Sequence, residues 1–434
     1  MIRRTLLEWE SLPYGVGEGA ILQEVADRLA AVAAASPLAG RGGGGVLEHG
    51  RRALRARGVV GVIVAEGCAL EILPKIETPG HTGPAATGRI RKRLIHMLAI
   101  ALDMRIEAGA ITDLDFQHET LLDILIRLFT TKLVEAVRHG MPRQYAERSD
   151  DLPMLRGRLE VARQFTTLMA APHRLACRYD TLSEDIPLNQ VIRAAVSRLV
   201  RVVRSSTVKQ RLQEMSGTYA EVSDIPAASL PWDRVIIDRT NARWKEVVDL
   251  ARLLLGDRFQ TTSTGETAGF SLLFEMNVLF EEYVARMIAR ALAGTGRHVV
   301  TQGGRLFCLQ TREHKSLFQT KPDILIKRGN VIEQIIDTKW KRISARLDDP
   351  KQGVSQADVY QMMAYGQLYR CPRLTLLYPH HHALGPDTMR VVHRIAVPNS
   401  HDYLELSTVD MSTSDNLLQR LRIVCSAEKT STCS

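Results

Sequence analysis

The chain has 434 residues, of which 45% are hydrophobic and 24% are charged, and its formal net charge is +9. This length and composition predict a soluble globular protein with two or three domains. No apolar run approaches the roughly 20 residues that cross a membrane, and no adequate apolar segment precedes Glu8, so a membrane-spanning or secreted protein is not expected.

The excess of basic residues suits a polyanionic partner such as nucleic acid. The six cysteines, at positions 68, 177, 308, 371, 425 and 433, include no Cys-x-x-Cys pair. That pattern fits reduced thiols in the cytoplasm rather than a disulfide framework.

The first region, residues 1–115, is predicted to be a small β unit with helices. Ala20–Ala35 has the pattern of a helix, and Val59–Val64 and Leu70–Leu73 have the pattern of strands. The glycine cluster Gly40–Gly45 is interpreted as a flexible surface loop. The alternative, a phosphate-binding loop, lacks the Gly-Lys-Ser/Thr ending, and no Gly-Lys occurs in the chain. Binding of GTP or ATP by this chain through a P-loop is therefore not expected.

Residues 116–250 are predicted to form a helical middle region that is basic. Leu121–His139 and Leu188–Arg204 both have an amphipathic helical pattern. Between positions 141 and 215 there are 13 Lys/Arg and 8 Asp/Glu. This basic face is either ordinary solvated surface or a surface for DNA or a partner, and the sequence favours neither.

The segment Ser271–Ala291 has apolar residues at helical spacing and carries two adjacent glutamates. Glu282 has Arg286 four residues later, which favours an exposed ion pair. Glu281 has no basic residue on its own face of the predicted helix, so its carboxylate needs a metal, a water network or a distant base. Glu281 is therefore the better candidate for an acidic site residue, with a structural role as the alternative.

Two apolar runs, around Ile324–Ile326 and Ile335–Ile336, predict a β-hairpin that ends in charged residues. Side chains alternate along a strand, so Asp337 and Lys339 point the same way, and Asp323 approaches Asp337 from the neighbouring strand. Two convergent acids suit a hard divalent cation such as Mg²⁺. A lysine beside such a cation can orient or help deprotonate a water. The pattern favours phosphodiester hydrolysis over the alternative, a solvated surface ion pair.

Ser355 and Asp358 predict the start of a helix, with Ser355 as its N-cap. Gln361 and Tyr365 are four residues apart and share a face of that helix, where they can hold a phosphate or a water beside the lysine. The alternative is an ordinary amphipathic helix. His380–His382 is interpreted as a turn with exposed imidazoles, because adjacent histidines alternate in direction and do not readily ligate one zinc ion.

The order and spacing of these elements resemble the PD-(D/E)xK nuclease fold, in the branch that carries a Gln-x-x-x-Tyr helix. The matching positions are Glu281 on the first helix, Asp323 of the Pro-Asp motif, Asp337 and Lys339 of Asp-x-Lys, Gln361 and Tyr365 of the helix signature, and Lys341 as a reserve lysine or phosphate contact. The resemblance implies that the three acids hold Mg²⁺ and, together with Lys339, catalyse cleavage of DNA.

Further segments resemble the McrC family, in the expected order along the chain. They are Glu8-Trp9, Glu71–Ile76, Gln144-Tyr145, Leu155–Leu159, Asp185–Asn189, Phe274–Asn277 and Leu279–Glu281. Members of that family are the nuclease subunits of McrBC-type restriction systems. Their partner, McrB, is an AAA+ GTPase that forms a ring and usually carries the domain that reads modified DNA.

The McrC resemblance implies an α/β (α+β) multidomain protein. Residues 1–115, for partner docking, and the middle region 116–250 would contact the GTPase and stimulate its GTP hydrolysis. Residues 255–434 would be a PD-(D/E)xK restriction-endonuclease-like domain. The chain would cut modified double-stranded DNA with Mg²⁺, while GTP is bound by the McrB-like partner. The alternatives are a non-catalytic activator of the AAA+ ring that keeps the nuclease fold as a DNA clamp, and a stand-alone DNA repair nuclease.

Overall fold

The computed structural model describes residues 2–17, 19–36, 38, 45–76, 83–104, 119–256, 269–344, 353–385, 388, 390–396, 402–411 and 417–426. The glycine cluster Gly40–Gly45 lies outside the described residues, except for Gly45. The chain divides into two compact units, one made of Met1–Leu121 with Arg258–Ser434 and the other of Leu122–Asp257. Within the described ranges, every helix is too short or too polar to cross a bilayer.

The described strands are β1 (Ile2–Leu7), β2 (Ser11–Pro13), β3 (Leu47–His49), β4 (Ala53–Ala56), β5 (Val59–Ala65), β6 (Cys68–Leu73), β7 (Gln144–Leu152), β8 (Arg158–Leu159), β9 (Leu175–Ser183), β10 (Gly269–Glu275), β11 (His298–Thr301), β12 (Phe307–Gln310), β13 (Ser316–Gln319), β14 (Ile324–Arg328), β15 (Val331–Thr338), β16 (Arg373–Pro379), β17 (Arg390–Arg394) and β18 (Tyr403–Val409). The described α-helices are α1 (Gln23–Ala34), α2 (Pro84–Ala101), α3 (Leu121–Arg138), α4 (Val161–Phe165), α5 (Pro187–Val202), α6 (Ser206–Thr218), α7 (Lys245–Leu255), α8 (Met276–Ala291), α9 (Gln356–Tyr369) and α10 (Leu417–Cys425).

The first sheet has the strand order β1-β6-β5-β10 and joins the predicted first and third regions of the chain. The predicted strands β5 and β6 are confirmed as an antiparallel pair. β10 lies antiparallel to β5, with Phe274 opposite Val60. The assignment of residues 271–275 to the following helix is wrong, because they belong to β10 and α8 begins at Met276. Five consecutive residues of β10 are buried, and a short continuous apolar run does not distinguish a buried strand from a helix.

The second sheet has the strand order β11-β14-β15-β16-β18-β17. The predicted hairpin is confirmed as β14 and β15, which are antiparallel with Ile324 opposite Ile336. β15 runs parallel to β16, so the connection between them crosses over through α9. α8 packs against β11, β15 and α10. The mixed α/β multidomain fold that the sequence predicts is confirmed.

The unit Leu122–Asp257 combines helices α5, α6 and α7 with a three-stranded sheet of order β7-β9-β8. The helical character was predicted, but the sheet was not. β7 has the sequence QYAERSDDL and no fully buried side chain, so it lacks the alternating apolar pattern of a half-buried strand. Oppositely charged side chains face each other across β7 and β9 instead. Arg178 Nε, for example, lies 3.4 Å from Glu147 Oε1.

Candidate active site

Asp323 and Asp337 meet where the β14–β15 hairpin opens. The register that places Ile324 opposite Ile336 brings the residue before β14 beside Asp337. The Asp323 carboxylate accepts hydrogen bonds at Oδ2 from the Thr338 backbone N at 2.8 Å and from Thr338 Oγ1 at 2.9 Å. Asp337 is only 1% exposed. The structure therefore brings the two predicted aspartates together at one end of the hairpin.

Lys339 follows β15 directly and remains tied to the sheet, because its backbone N donates to Leu377 O at 2.9 Å. Its Nζ lies 2.7 Å from Asp337 Oδ2 and donates to Gln361 Oε1 at 3.3 Å. The alternation along β15 thus places Asp337 and Lys339 on the same side, as the sequence predicts.

Glu281, on α8, is partly buried and accepts a hydrogen bond from Gln302 Nε2 at 3.1 Å. Arg286, which the sequence assigned to Glu282, lies instead 3.7 Å from Asp103. Burial raises the pKa of Glu281, and the charges of Glu282 and Asp337 raise it further. Glu281 therefore lies within electrostatic range of Asp337.

The three acids are costly to ionise together. Burial, and then the charge of Glu281, raises the pKa of Asp323 to about 6. Burial, and then the charge of Asp323, raises the pKa of Asp337 to about 6. The pKa of Glu281 is also raised, chiefly by burial. Each carboxylate thus destabilises another, and a multivalent cation would relieve that repulsion.

Gln361 and Tyr365, on α9, both reach this cluster. Gln361 Nε2 donates to Tyr365 Oη at 2.7 Å and to Asp337 Oδ1 at 3.4 Å. Tyr365 is buried, and burial is the main cause of its raised pKa. The amide therefore bridges Asp337 and Lys339, while the phenol orients the amide.

Lys341 lies beyond the end of β15 but shares an acidic neighbour with Lys339, whose Nζ is 4.0 Å from Asp358 Oδ1. β15 ends at Thr338, and the Lys341 backbone N donates to Lys339 O at 2.9 Å in a turn. The Lys341 side chain forms an ion pair with Asp358. A strand pattern extrapolated beyond the last ladder residue no longer determines direction.

A tryptophan next to Lys339 connects the site to the start of the chain, which the sequence reasoning missed. Trp340 Nε1 donates to Glu8 Oε1 at 2.6 Å, and its ring lies 5.2 Å from that of Phe280, the neighbour of Glu281. Glu8 is 1% exposed and also accepts from the Lys75 backbone N at 2.9 Å. The position of Trp340 beside the Asp-x-Lys motif could have marked it as a residue of the site. Its contact with Glu8, 332 residues away, could not be predicted from the sequence.

The histidines at 380–382 do not belong to the site. His381 is buried and its Nε2 lies 2.8 Å from Ile343 O, so the prediction of an exposed imidazole is wrong at that position. His380 lies between Thr408 Oγ1 at 3.1 Å and Gly385 O at 3.0 Å. These rings make structural hydrogen bonds.

The donor chemistry of the acidic cluster fits a hard divalent cation. Asp337 Oδ2 is buried 2.7 Å from Lys339 Nζ, and Asp337 Oδ1 accepts a long hydrogen bond of 3.4 Å from Gln361 Nε2. Both hydrogen bonds to Asp323 use Oδ2, which leaves Oδ1 for another ligand. Carboxylate oxygens are the ligands that Mg²⁺ takes in proteins. No group of three His, Cys, Asp or Glu within the described ranges already has a ligating arrangement, so the fit rests on the donor set.

Comparisons with known proteins identify a family and a relative of this chain. The family described as "McrBC 5-methylcytosine restriction system component" matches residues 54–379. The chain is 21% identical over 252 residues to the type IV methyl-directed restriction enzyme EcoKMcrBC of Escherichia coli (strain K12), spanning 56% of this chain and 71% of that protein.

Two solved structures have a similar fold. One is the tetradecameric assembly of Thermococcus gammatolerans McrB AAA+ hexamers with bound McrC, where the match has a TM-score of 0.68 at 19% identity and covers 98% of this chain and 99% of that chain. The other is the McrBC complex of the same organism, with a TM-score of 0.53 at 23% identity over 67% of this chain and 88% of that chain.

The family match covers well over half of the chain and includes every residue of the candidate site. The chain therefore belongs to the McrBC 5-methylcytosine restriction system component family.

Proposed function

We propose that this chain is the DNA-cleaving subunit of a modification-dependent restriction system of the McrBC type. The observation that supports the proposal is the position of Asp323 and Asp337 at one end of the hairpin, with Lys339 Nζ 2.7 Å from Asp337 Oδ2 and 3.3 Å from Gln361 Oε1. Three acids that raise one another's pKa destabilise the fold when they are ionised, unless they bind a cation. A non-catalytic activator would gain nothing from such a cluster.

The reaction is hydrolysis of a DNA phosphodiester bond. Asp323, Asp337 and Glu281 would hold Mg²⁺, which when bound supplies a more acidic water and neutralises charge on the phosphate. Burial alone would lower the pKa of Lys339, but Asp337 and the other nearby acids outweigh that effect and raise it. The charged form of Lys339 is therefore favoured in the cation-free site. Its role is to donate hydrogen bonds that hold the water or a phosphate oxygen, with Gln361 fixing its position.

The proposed partner is an AAA+ GTPase of the McrB type. This chain has a fold similar to that of one chain in the Thermococcus gammatolerans assembly, which consists of McrB AAA+ hexamers with bound McrC. No Gly-Lys pair occurs in this chain, so GTP would be bound by the partner. In this proposal residues 1–250 dock on the ring, the substrate is modified double-stranded DNA, and the complex works in the cytoplasm.

A reconstitution experiment tests this proposal. The purified chain, a McrB-type GTPase encoded beside it, GTP and Mg²⁺ are expected to cut a plasmid that carries 5-methylcytosine, and omission of any one component is expected to stop cleavage. Stimulation of GTP hydrolysis with no cutting at any Mg²⁺ concentration would instead identify a non-catalytic activator. Cutting by the chain alone would identify a stand-alone nuclease. Either result would overturn the proposal.

Glu8 is expected to act as a positioning residue for this reaction. Glu8 accepts a hydrogen bond from Trp340, which follows Lys339 in the chain. The Trp340 ring also packs on Phe280, which precedes Glu281. Glu8→Ala removes the acceptor of Trp340 Nε1 and is expected to lower the turnover number for plasmid cleavage by roughly tenfold to 100-fold, because small misplacements of catalytic groups have effects of this size. The KM for DNA is expected to stay unchanged, since Glu8 does not reach the substrate.

Glu8→Gln is the matched control, because the amide oxygen can still accept from Trp340 and from the Lys75 backbone. It is expected to retain nearly full turnover. A turnover loss in Glu8→Gln equal to that in Glu8→Ala would contradict a positioning role through the hydrogen bond to Trp340.

A further inference from the structure

The strands β12 and β13 form a two-stranded ribbon that pairs with no other described strand. Both of its faces carry exposed apolar side chains, with Phe307 43%, Leu309 57% and Phe318 71% exposed. Phe318 also has a φ of +55°, which is a strained conformation for a bulky residue. An isolated ribbon of two strands is marginally stable in water, and a cluster of exposed apolar residues indicates a binding surface.

The charge of the ribbon identifies the kind of partner. Residues 302–321 contain the four basic residues Arg305, Arg312, Lys315 and Lys321 but only one acid, Glu313. In the part of the chain that the structure describes, no ion pair holds Arg312 or Lys315 at the tip. Unpaired basic side chains interleaved with aromatic ones are typical of nucleic-acid surfaces, where the cations contact phosphates and the rings contact bases.

The base of the ribbon, where β12 begins and β13 ends, is held by Tyr369, the last residue of α9. Tyr369 Oη accepts from the Leu306 backbone N at 3.2 Å and lies 2.7 Å from Thr320 Oγ1, so it ties the two strands together. Gly304 has a φ of +84°, and a Cβ there would overlap the Tyr369 ring, so only glycine permits this approach. Tyr369 in turn packs edge-to-face on Tyr365, with ring centroids 6.2 Å apart.

The base of the ribbon is also fixed to the acidic cluster, because Gln302, which precedes the ribbon, donates to Glu281. The ribbon therefore stands in a fixed position relative to Glu281 and Tyr365. A ligand held by the ribbon would be presented to the three acids.

We propose that the β12–β13 ribbon is the DNA-docking element of this active site. It enters a groove of the duplex, with Arg312 and Lys315 on phosphates and Phe318 against the bases or sugars. The major groove of B-DNA, about 12 Å wide, admits a two-stranded β-ribbon. The inference rests on the proposed function, since it assumes that the substrate is double-stranded DNA.

Binding of the full-length chain to a fluorescently labelled 30-base-pair duplex, without partner or Mg²⁺, tests the inference separately from cleavage. The measurements are made by anisotropy between 50 and 200 mM NaCl in an Asp337→Asn background. Adding Arg312→Ala and Lys315→Ala is expected to weaken binding about tenfold and to reduce the slope of log K against log salt by about two, one for each phosphate contact. Phe318→Ser is expected to weaken binding several-fold with the salt slope unchanged, because the lost contact is apolar.

The matched control is Arg51→Ala with Arg52→Ala, which removes the same charge from an exposed turn between β3 and β4. It is expected to leave the affinity for DNA and the salt slope unchanged.

Equal losses of affinity in the control and the ribbon variant, or no loss in the ribbon variant, would overturn the inference. A ribbon variant that binds DNA normally but loses binding to the GTPase or self-association would also overturn it, by identifying a protein-docking surface. If the wild-type pair fails to cut DNA while binding still depends on the ribbon, the nuclease proposal fails and the ribbon's role as a DNA-docking element stands.

Discussion

Asp337→Asn is expected to lower DNA cleavage by the reconstituted complex about 100- to 1,000-fold, measured as a single-turnover rate. The substitution keeps the shape of the side chain but removes the charge that would bind the cation and that pairs with Lys339. Losses of this size follow the removal of one preorganised electrostatic group from an active site. Stimulation of GTP hydrolysis by the partner is expected to persist, because the change lies in the second sheet and not in residues 1–250.

The same substitution is expected to stabilise the isolated chain at neutral pH in the absence of metal. The pKa of Asp337 is about 6 in the folded state, against an ordinary value of 3.8. Ionisation therefore destabilises the fold, and the penalty grows as pH rises from about 4 to about 6 and remains complete above that range. Asp337→Asn removes the penalty, so the free energy of unfolding is expected to rise at pH 7.5 and to change little at pH 4.

Urea unfolding at both pH values checks this expectation, with Asp249→Asn as the control. Asp249 forms a surface pair with Lys245 one helical turn away, and such pairs contribute less than about 1 kcal/mol. Addition of Mg²⁺ is expected to stabilise the wild type and to have little effect on Asp337→Asn, because a ligand that binds only the folded state shifts unfolding by mass action. A variant that cuts DNA at the wild-type rate would show that Asp337 is not part of the active site.

Gly61→Ala is expected to reduce the free energy of unfolding by roughly 2–4 kcal/mol, which places it among the larger single-residue effects. Gly61 lies in β5 with a φ of +137°, and a Cβ there would overlap the carbonyl oxygen of Leu272 in β10. The neighbouring strand cannot move away without breaking the β5–β10 ladder. Because β10 leads directly into α8, the change is also expected to displace Glu281 and to lower cleavage.

Gly217→Ala is the control for this prediction. A Cβ at Gly217 meets no atom within 4 Å, and the residue lies near the end of α6. The substitution is expected to be neutral or slightly stabilising, since alanine has a higher helix propensity than glycine. Thermal and urea unfolding of both variants provide the comparison. Equal stability of Gly61→Ala and the wild type would contradict the close approach of β10 to β5.

The sequence by itself determined the parts of the site that depend on local periodicity. The apolar runs of β14 and β15 fix which face each side chain occupies, because a slip of one residue would expose the whole buried set. Asp323, Asp337 and Lys339 therefore converge as predicted. The 3.6-residue repeat places Gln361 beside Tyr365 in the same way. Both results follow from backbone geometry over a few residues.

The tertiary structure alone decided the contacts between distant segments. β10 has a continuous buried run, and only its pairing with β5 makes it a strand rather than part of a helix. The polar strand β7 had no periodic signal at all. The contact of Glu8 with Trp340 joins residues 332 positions apart, and the ribbon's base is positioned by Tyr369 and Gln302. The periodicity of apolar residues indicates which face of a helix or strand is buried. It does not indicate which other element packs against that face, because this depends on packing of the whole unit.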